Sequence, residues 1–85
     1  MKLKENFIIH ETDGEQIMVA TAGNFSGMVR NNATAAFIVN CLKTETTKEA
    51  ILDAMYQKYD GSRDIMAADI DKVLNNLREI GALEE

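Results

Sequence analysis

The dipeptide Asp13-Gly14 is the feature that most constrains what this chain can fold into. It lies between two runs rich in β-branched and aromatic residues, Phe7–Thr12 and Glu15–Thr21. A tight primed turn requires positive φ angles, which glycine adopts without steric cost. Asp-Gly between two such runs therefore predicts a β-hairpin.

A third strand is predicted directly after the hairpin. Ala22-Gly23-Asn24 offers a second turn, and Phe25–Arg30 follows as a short strand in which Gly27 interrupts the alternation. A glycine inside a strand is typical of a bulge or of a close approach by another backbone. The first third of the chain is thus predicted to form a three-stranded antiparallel meander.

The remainder of the chain predicts helices. Asn32 is a good N-cap for Ala33–Lys43, a run that is apolar almost all round and is therefore expected to be buried. Thr46-Thr47-Lys48-Glu49 has the form of a capping box and opens a second helix, which Asp60-Gly61-Ser62 ends. The apolar residues that share one face of this second helix are Ile51, Leu52, Met55 and Tyr59.

A third helix is predicted from an N-cap at Asp64 to a C-terminal stop at Gly81. Its expected core stripe repeats at helical spacing and consists of Met66, Ile70, Val73, Leu77 and Ile80. A β-meander followed by three helices predicts an α+β, winged-helix-like fold. Residues 1–85 contain no stretch that resembles a linker, so one domain is expected.

Composition excludes several classes of function. The chain has 14 acidic and 9 basic residues, a formal net charge of −5, which disfavours non-specific attraction to nucleic acid or to an anionic membrane. Neither a signal peptide nor a membrane span is recognisable, so we expect a cytoplasmic protein. A single cysteine and a single histidine exclude an internal disulfide and a Cys/His zinc site, and we expect no metal and no cofactor.

The chain displays no catalytic constellation. His10 is expected to be an ordinary strand residue, and Cys41 an inert thiol within the most apolar helix. The acidic residues of the third helix, Asp64, Asp69, Asp71 and Glu79, are expected to form a solvated face. The sequence also lacks a phosphate-binding loop and a Ser-His-Asp set, so we expect a protein that is not an enzyme.

Nucleic-acid binding is the alternative that a winged-helix-like fold raises. The third helix would then enter the major groove, yet it offers only Lys72 and Arg78 against its four acidic residues. Because neutralisation of phosphates supplies most of the non-specific affinity for DNA, this helix carries the wrong charge. We therefore expect no nucleic-acid partner.

Three stretches resemble the family of the pyrroloquinoline quinone synthesis protein D. The first is Gly27–Ile38, in which a short strand ends in Asn and leads into a helix of small residues. The second is Thr46–Ile51 with Tyr59-Asp60, and the third is Ala68–Leu74 with Leu77 and the ending Gly81-Ala82-Leu83. Together they cover the chain from about Phe7 to Leu83.

The resemblance implies a recognition domain for ribosomally made peptides that are modified after translation. It implies that the leader segment of a precursor peptide docks as an added strand on the third predicted strand. It also implies a second partner, a radical S-adenosylmethionine protein or another peptide-modifying enzyme, to which the peptide is presented. Whether the pathway makes a quinone cofactor or another product stays open. We expect a monomer, with a strand-swapped dimer as the alternative.

On this interpretation the peptide lies in a groove between the third strand and the third helix. An exposed edge strand has unpaired N–H and C=O groups that can pair with an incoming chain. The expected floor of the groove consists of Gly27, Met28, Val29 and Arg30. The expected wall, on the flank of the helix next to its core stripe, consists of Ala67, Asp71, Leu74 and Arg78.

Overall fold

A three-stranded sheet and three helices share one hydrophobic core in the computed structural model, which describes residues 1–21 and 27–85. The elements, in chain order, are β1 (Lys2–Leu3), β2 (Phe7–Thr12), β3 (Glu15–Ala20), β4 (Met28–Asn31), α1 (Ala33–Cys41), α2 (Lys48–Lys58), α3 (Arg63–Glu79) and β5 (Leu83–Glu84). This is the predicted α+β fold, a three-stranded antiparallel sheet followed by three helices.

The hairpin forms where Asp13-Gly14 predicts it. Asp13 has a φ of 50° and Gly14 a φ of 80°, and positive values at both positions define a type I′ turn. The turn sets Thr12 opposite Glu15, and the sheet has the order β2-β3-β4 with both pairings antiparallel. The predicted turn at residues 22–24 and the first two residues of the predicted third strand, Phe25 and Ser26, lie outside the described residues.

The helices begin at side-chain caps, two of which differ from those predicted. Asn32 caps α1 as expected, with its side chain accepting a hydrogen bond from the Ala35 N–H at 2.9 Å. The cap of α2 is Thr47, so the capping box expected from Thr46 and Glu49 does not form, because the third helical position is then Ala50. The cap of α3 is Ser62 rather than Asp64.

Asp64 instead lies in the first turn of α3, where its charge is favourable next to the N-terminal end of the helix dipole. At the other end of this helix the predicted glycine stop is present. Gly81 follows the C-cap residue Ile80 with a φ of 71°. Helix α1 ends at Cys41, two residues before its predicted end.

Two short strands close the domain at its ends, and neither was predicted. β1 pairs antiparallel with β5, which places Leu3 opposite Leu83. The Leu3 N–H also donates to the Leu42 carbonyl at 2.8 Å, and the Lys4 N–H to the Ala82 carbonyl at 2.8 Å. Strands of two residues carry no periodic pattern, so only this long-range pairing defines them.

One hydrophobic core joins the sheet to the helices. Met18 and α1 residues Ile38 and Val39 have no exposed surface. The prediction that α1 is buried holds for these two residues only, because the other residues of the helix are half-buried or exposed. The buried stripe of α3 consists of Met66, Ile70, Leu74 and Leu77, whereas Val73 and Ile80, which were predicted to belong to it, are half-buried. No helix in the described ranges is long and apolar enough to span a membrane.

Candidate functional site

A groove runs between β4 and α3. Its volume is about 530 Å³, which is within the range of clefts that bind ligands. The strand side is formed by Val29, Arg30 and Asn31, and the start of α1 closes one part of it. The helix side is formed by residues that recur at helical spacing: Asp69, Lys72, Val73, Asn76, Leu77, Glu79 and Ile80.

The hydrogen-bonding register of the sheet follows from its hairpin. In a two-residue type I′ hairpin the residues that flank the turn, Thr12 and Glu15, form a hydrogen-bonded pair. Hydrogen-bonded and non-hydrogen-bonded pairs alternate along an antiparallel ladder. Gln16 and Met18 therefore direct their backbone groups away from β2 and towards β4.

The same alternation assigns the two edges of β4. Val29 and Asn31 lie opposite Met18 and Gln16, so their N–H and C=O groups bond to β3. The backbone groups of Met28 and Arg30 point to the other edge, which borders the groove. Within the described residues no strand pairs with this edge. It therefore offers two N–H donors and two C=O acceptors, those of Met28 and Arg30, to an incoming chain.

Side chains on β4 alternate between the two faces of the sheet. Val29 and Asn31 are half-buried and lie on the inner face with Met18 and Gln16. Met28, which is 57% exposed, lies on the outer face beside Val19. The groove thus receives the side chain of Val29 and the backbone edge at Arg30. Of the expected floor residues, Gly27 precedes β4 and Met28 is its first residue, and neither lines the groove.

The charged residues of the groove are unpaired. Within residues 1–21 and 27–85, no ion pair involves Arg30, Asp69, Lys72 or Glu79. They line the groove together with the apolar residues Val29, Val73 and Ile80. A surface that combines apolar side chains with unpaired charges is suited to an extended peptide that has both kinds of side chain.

The wall expected from the sequence lies on the opposite flank of α3. Asp71, Leu74 and Arg78 border a separate depression, together with Met1, the N-terminal end of α2 and Glu85. Leu74 is only 2% exposed and belongs to the core, and Ala67 is half-buried and does not line the groove. The structure therefore brings Val29 and Arg30 to the groove but not these four helix residues.

The charges on that opposite flank already have partners. Lys48 Nζ lies 2.8 Å from Asp71 Oδ1. Arg78 donates from Nε and Nη2 to the two carboxylate oxygens of Glu85, both at 2.9 Å. These hydrogen bonds lower the pKa of Glu85 and raise that of Arg78. Side chains committed in this way are less available to a ligand than the unpaired charges of the groove.

The remaining chemical candidates lie apart from the groove. His10 is exposed on the outer face of the sheet. Cys41 is a free, half-buried cysteine, and burial raises the pKa of its thiol, which lowers the fraction present as reactive thiolate. Among the described residues no group of three His, Cys, Asp or Glu side chains is arranged to hold a metal ion.

Two solved structures share this fold. A structure of TbiB1 in complex with the TbiA(beta) leader peptide superposes with a TM-score of 0.86 and 21% sequence identity, covering 99% of this chain and 95% of that chain. A lasso peptide synthetase B1 complexed with the leader peptide superposes with a TM-score of 0.81 and 20% identity, covering 99% and 96%. At such identities the similarity establishes the fold.

The sequence comparison identifies the family. No curated protein is similar enough to match the chain. The family model for the coenzyme PQQ synthesis protein D, PqqD, matches residues 10–83, which is most of the chain. The matched range includes the hairpin from His10 onward, β4 and the three helices, and hence every residue of the groove. The chain therefore belongs to the PqqD family.

Proposed function

We propose that this protein is a non-catalytic recognition module that binds the leader segment of a ribosomally made precursor peptide. The leader adds to β4 as an antiparallel strand, and the module then presents the peptide to a modifying enzyme. That enzyme is a radical S-adenosylmethionine protein or another peptide-modifying protein. The observation that carries the proposal is the outer edge of β4, with which no described strand pairs and which borders the groove at Arg30. The two structural neighbours are complexes with leader peptides, which supports a leader peptide as the ligand.

The register gives the proposal a specific geometry. Main-chain hydrogen bonds to Met28 and Arg30 supply affinity with little demand on sequence. The peptide residue opposite Val29 directs its side chain to the inner face, into the groove against Val73 and Ile80. We therefore expect an aliphatic or aromatic side chain at that position of the leader. The residue opposite Asn31, two positions away, enters the same groove.

Charge adds a second level of selection. Lys72 and Asp69 lie one turn apart on α3, and Glu79 lies towards its C-terminal end. Because these side chains and Arg30 have no ion-pair partner among the described residues, a leader with complementary charges beside its apolar anchor gains contacts without breaking existing ones. The groove charges are expected to affect the association rate and its dependence on salt more than the final affinity.

Replacing Val73 with Asp tests the helix wall. Val73 is half-buried at the groove, so the variant is expected to fold, while a carboxylate set against an apolar peptide side chain costs about 1–3 kcal/mol. This corresponds to a Kd that is weaker by about five- to 150-fold. The measurement is isothermal titration calorimetry with a synthetic leader peptide, chosen by screening the leaders of short precursor sequences from the reading frames that adjoin this protein's own.

Ile65→Asp is the matched control for this substitution. Ile65 lies on the same helix, is 66% exposed and does not line the groove, so the variant adds the same charge elsewhere. It should bind the leader with the affinity of the unaltered protein. Equal losses in both variants, or no binding by the unaltered protein, would contradict the proposed function.

A further inference from the structure

A buried carboxamide joins the edge strand to the rest of the domain. The Asn31 Nδ2 donates to Gln16 Oε1 at 2.7 Å. The Gln16 Nε2 in turn donates to Glu11 Oε1 at 2.9 Å and to Asn40 Oδ1 at 3.2 Å. A further bond, from Asn40 Nδ2 to Glu11 Oε1 at 3.0 Å, closes the set. These four side chains, here called the Gln16 network, connect β2, β3, β4 and α1.

Gln16 occupies a position that an apolar side chain would fill at lower cost. It is 1% exposed and is the only polar residue buried within the described ranges. Burying a carboxamide is unfavourable unless its donors and acceptor are satisfied, and here both functions have partners. A buried polar group whose partners are all in place fixes one arrangement of the elements that it joins.

The network acts at the C-terminal end of β4, where the strand leads into α1. Glu11, Gln16 and Asn31 lie opposite one another in a single row across the three strands. Asn31 is the last residue of β4, and it lines the groove. β4 has four residues and pairs only with β3 among the described strands, so the bond from Asn31 to Gln16 adds a side-chain contact to a short ladder.

We propose that Gln16 is a positioning residue for peptide binding, because it holds Asn31 and thereby keeps the outer edge of β4 at Arg30 in the geometry of a paired strand. The inference deepens the proposed function and rests on it. If β4 is detached from β3 in part of the molecules, only the remaining fraction can bind a peptide. The apparent Kd is then the intrinsic Kd divided by that fraction. Gln16 itself need not touch the peptide.

The charge on Glu11 strengthens the network. Hydrogen bonds from Asn40 and then from Gln16 lower the pKa of Glu11, so its carboxylate is ionised at neutral pH. Hydrogen bonds to an ionised acceptor are roughly twice as strong as those between neutral groups. The carboxylate thus orients the carboxamide of Gln16, whose carbonyl oxygen is left facing Asn31.

Gln16→Met tests the inference with a side chain of similar size that can make none of these hydrogen bonds. Without peptide, hydrogen exchange at the Val29 and Asn31 amides, which bond to β3, should become about tenfold faster than in the unaltered protein. The Kd for the synthetic leader should rise by about the same factor. Faster exchange with an unchanged Kd, or unchanged exchange, would overturn the inference.

Ile51→Val separates positioning from general destabilisation. Ile51 is 1% exposed on α2, and loss of one methylene there lowers the free energy of unfolding without altering the network. At a temperature where both variants are fully folded, the control should keep the exchange rates of β4 and the leader affinity. A rise in Kd equal to that of Gln16→Met would assign the effect to stability and reject the positioning role.

A reciprocal substitution supplies the rescue. Gln16→Glu keeps an acceptor for Asn31 but sets a second carboxylate against Glu11, so leader affinity should fall by about tenfold or more. Adding Glu11→Gln leaves a single carboxylate, now at position 16, and supplies a carboxamide at position 11 that can donate to it. The double variant should recover most of the exchange protection at Asn31. Failure of the double variant to improve on Gln16→Glu would contradict the network as the cause.

These experiments also distinguish this inference from the proposed function. Exchange at Val29 and Asn31 is measured on the free protein, so it reports the positioning of β4 whether or not a peptide binds. If the unaltered protein bound no leader while Gln16→Met still accelerated exchange, the peptide function would be rejected and the structural effect of Gln16 retained. The positioning role in binding would then be rejected as well.

Discussion

Replacing Leu74 with Asp is expected to unfold the protein. Leu74 is 2% exposed in the middle of the α3 core stripe. Truncating a buried leucine costs about 2–5 kcal/mol, and burying an unpaired carboxylate adds several more. A domain of this size has a net stability of about 5–10 kcal/mol at most, so the sum removes most or all of it. Far-ultraviolet circular dichroism and the dispersion of amide NMR signals measure the outcome.

Leu74→Met is the control, because it keeps the volume and polarity of the side chain and should cost less than about 1.5 kcal/mol. The contrast with Val73 is informative, since Val73→Asp changes the neighbouring residue and should leave the fold intact. A folded Leu74→Asp variant that had lost only leader binding would show instead that Leu74 lines the peptide site, as the sequence interpretation proposed.

Met28→Pro is expected to weaken leader binding by more than about tenfold while the sheet stays intact. Proline lacks the N–H that Met28 directs to the open edge, and its ring occupies the space in which an incoming carbonyl would bond. Proline is tolerated on an edge strand when its missing donor faces away from the sheet, as it does here. The Kd for the synthetic leader, measured by calorimetry, tests this expectation.

Two variants serve as controls for Met28→Pro, one at the same residue and one at the next residue of β4. Met28→Ala removes a side chain that lies on the outer face but keeps the N–H, so leader binding should change by less than about twofold. Val29→Pro removes an N–H that bonds to β3 and should destabilise the sheet itself. If Met28→Pro bound the leader normally while Val29→Pro kept the fold but lost binding, the assigned register of β4 would be reversed.

The local parts of the fold could be predicted from the sequence because the determining residues are neighbours in the chain. Asp13-Gly14 specifies both the turn and, through the closing pair of the hairpin, the register of the sheet. Asn32 and Gly81 act at the helix ends where they were expected. Ser62 and Asp64 are both good N-caps two residues apart, and local preference alone does not choose between them.

The helix wall of the groove could not be assigned from the sequence. The apolar stripe of α3 identifies the side that faces the core, but two flanks border any such stripe. Which flank meets β4 depends on the rotation of the helix about its axis and on the path of the strand, both set by long-range packing. The sequence predicts the flank of Asp71 and Arg78, whereas the groove is lined by the flank of Val73 and Ile80.

Gln16 was missed for a related reason. The run from Ile17 to Ala20 is apolar on both faces of the strand, so alternation does not indicate which face is inward. A glutamine beside a hairpin is then expected to be solvated. Only the pairing of three strands and the position of Asn40 on α1 show that its side chain is enclosed.

A backbone amide NMR titration with the synthetic leader tests the central claim most directly. Strand addition predicts that the amides of Met28 and Arg30 shift most and become protected from hydrogen exchange as the leader binds. Smaller shifts are expected on the groove side of α3, from Lys72 to Ile80. Shifts that cluster on β2 or α2, with Met28 and Arg30 unchanged and unprotected, would contradict the account.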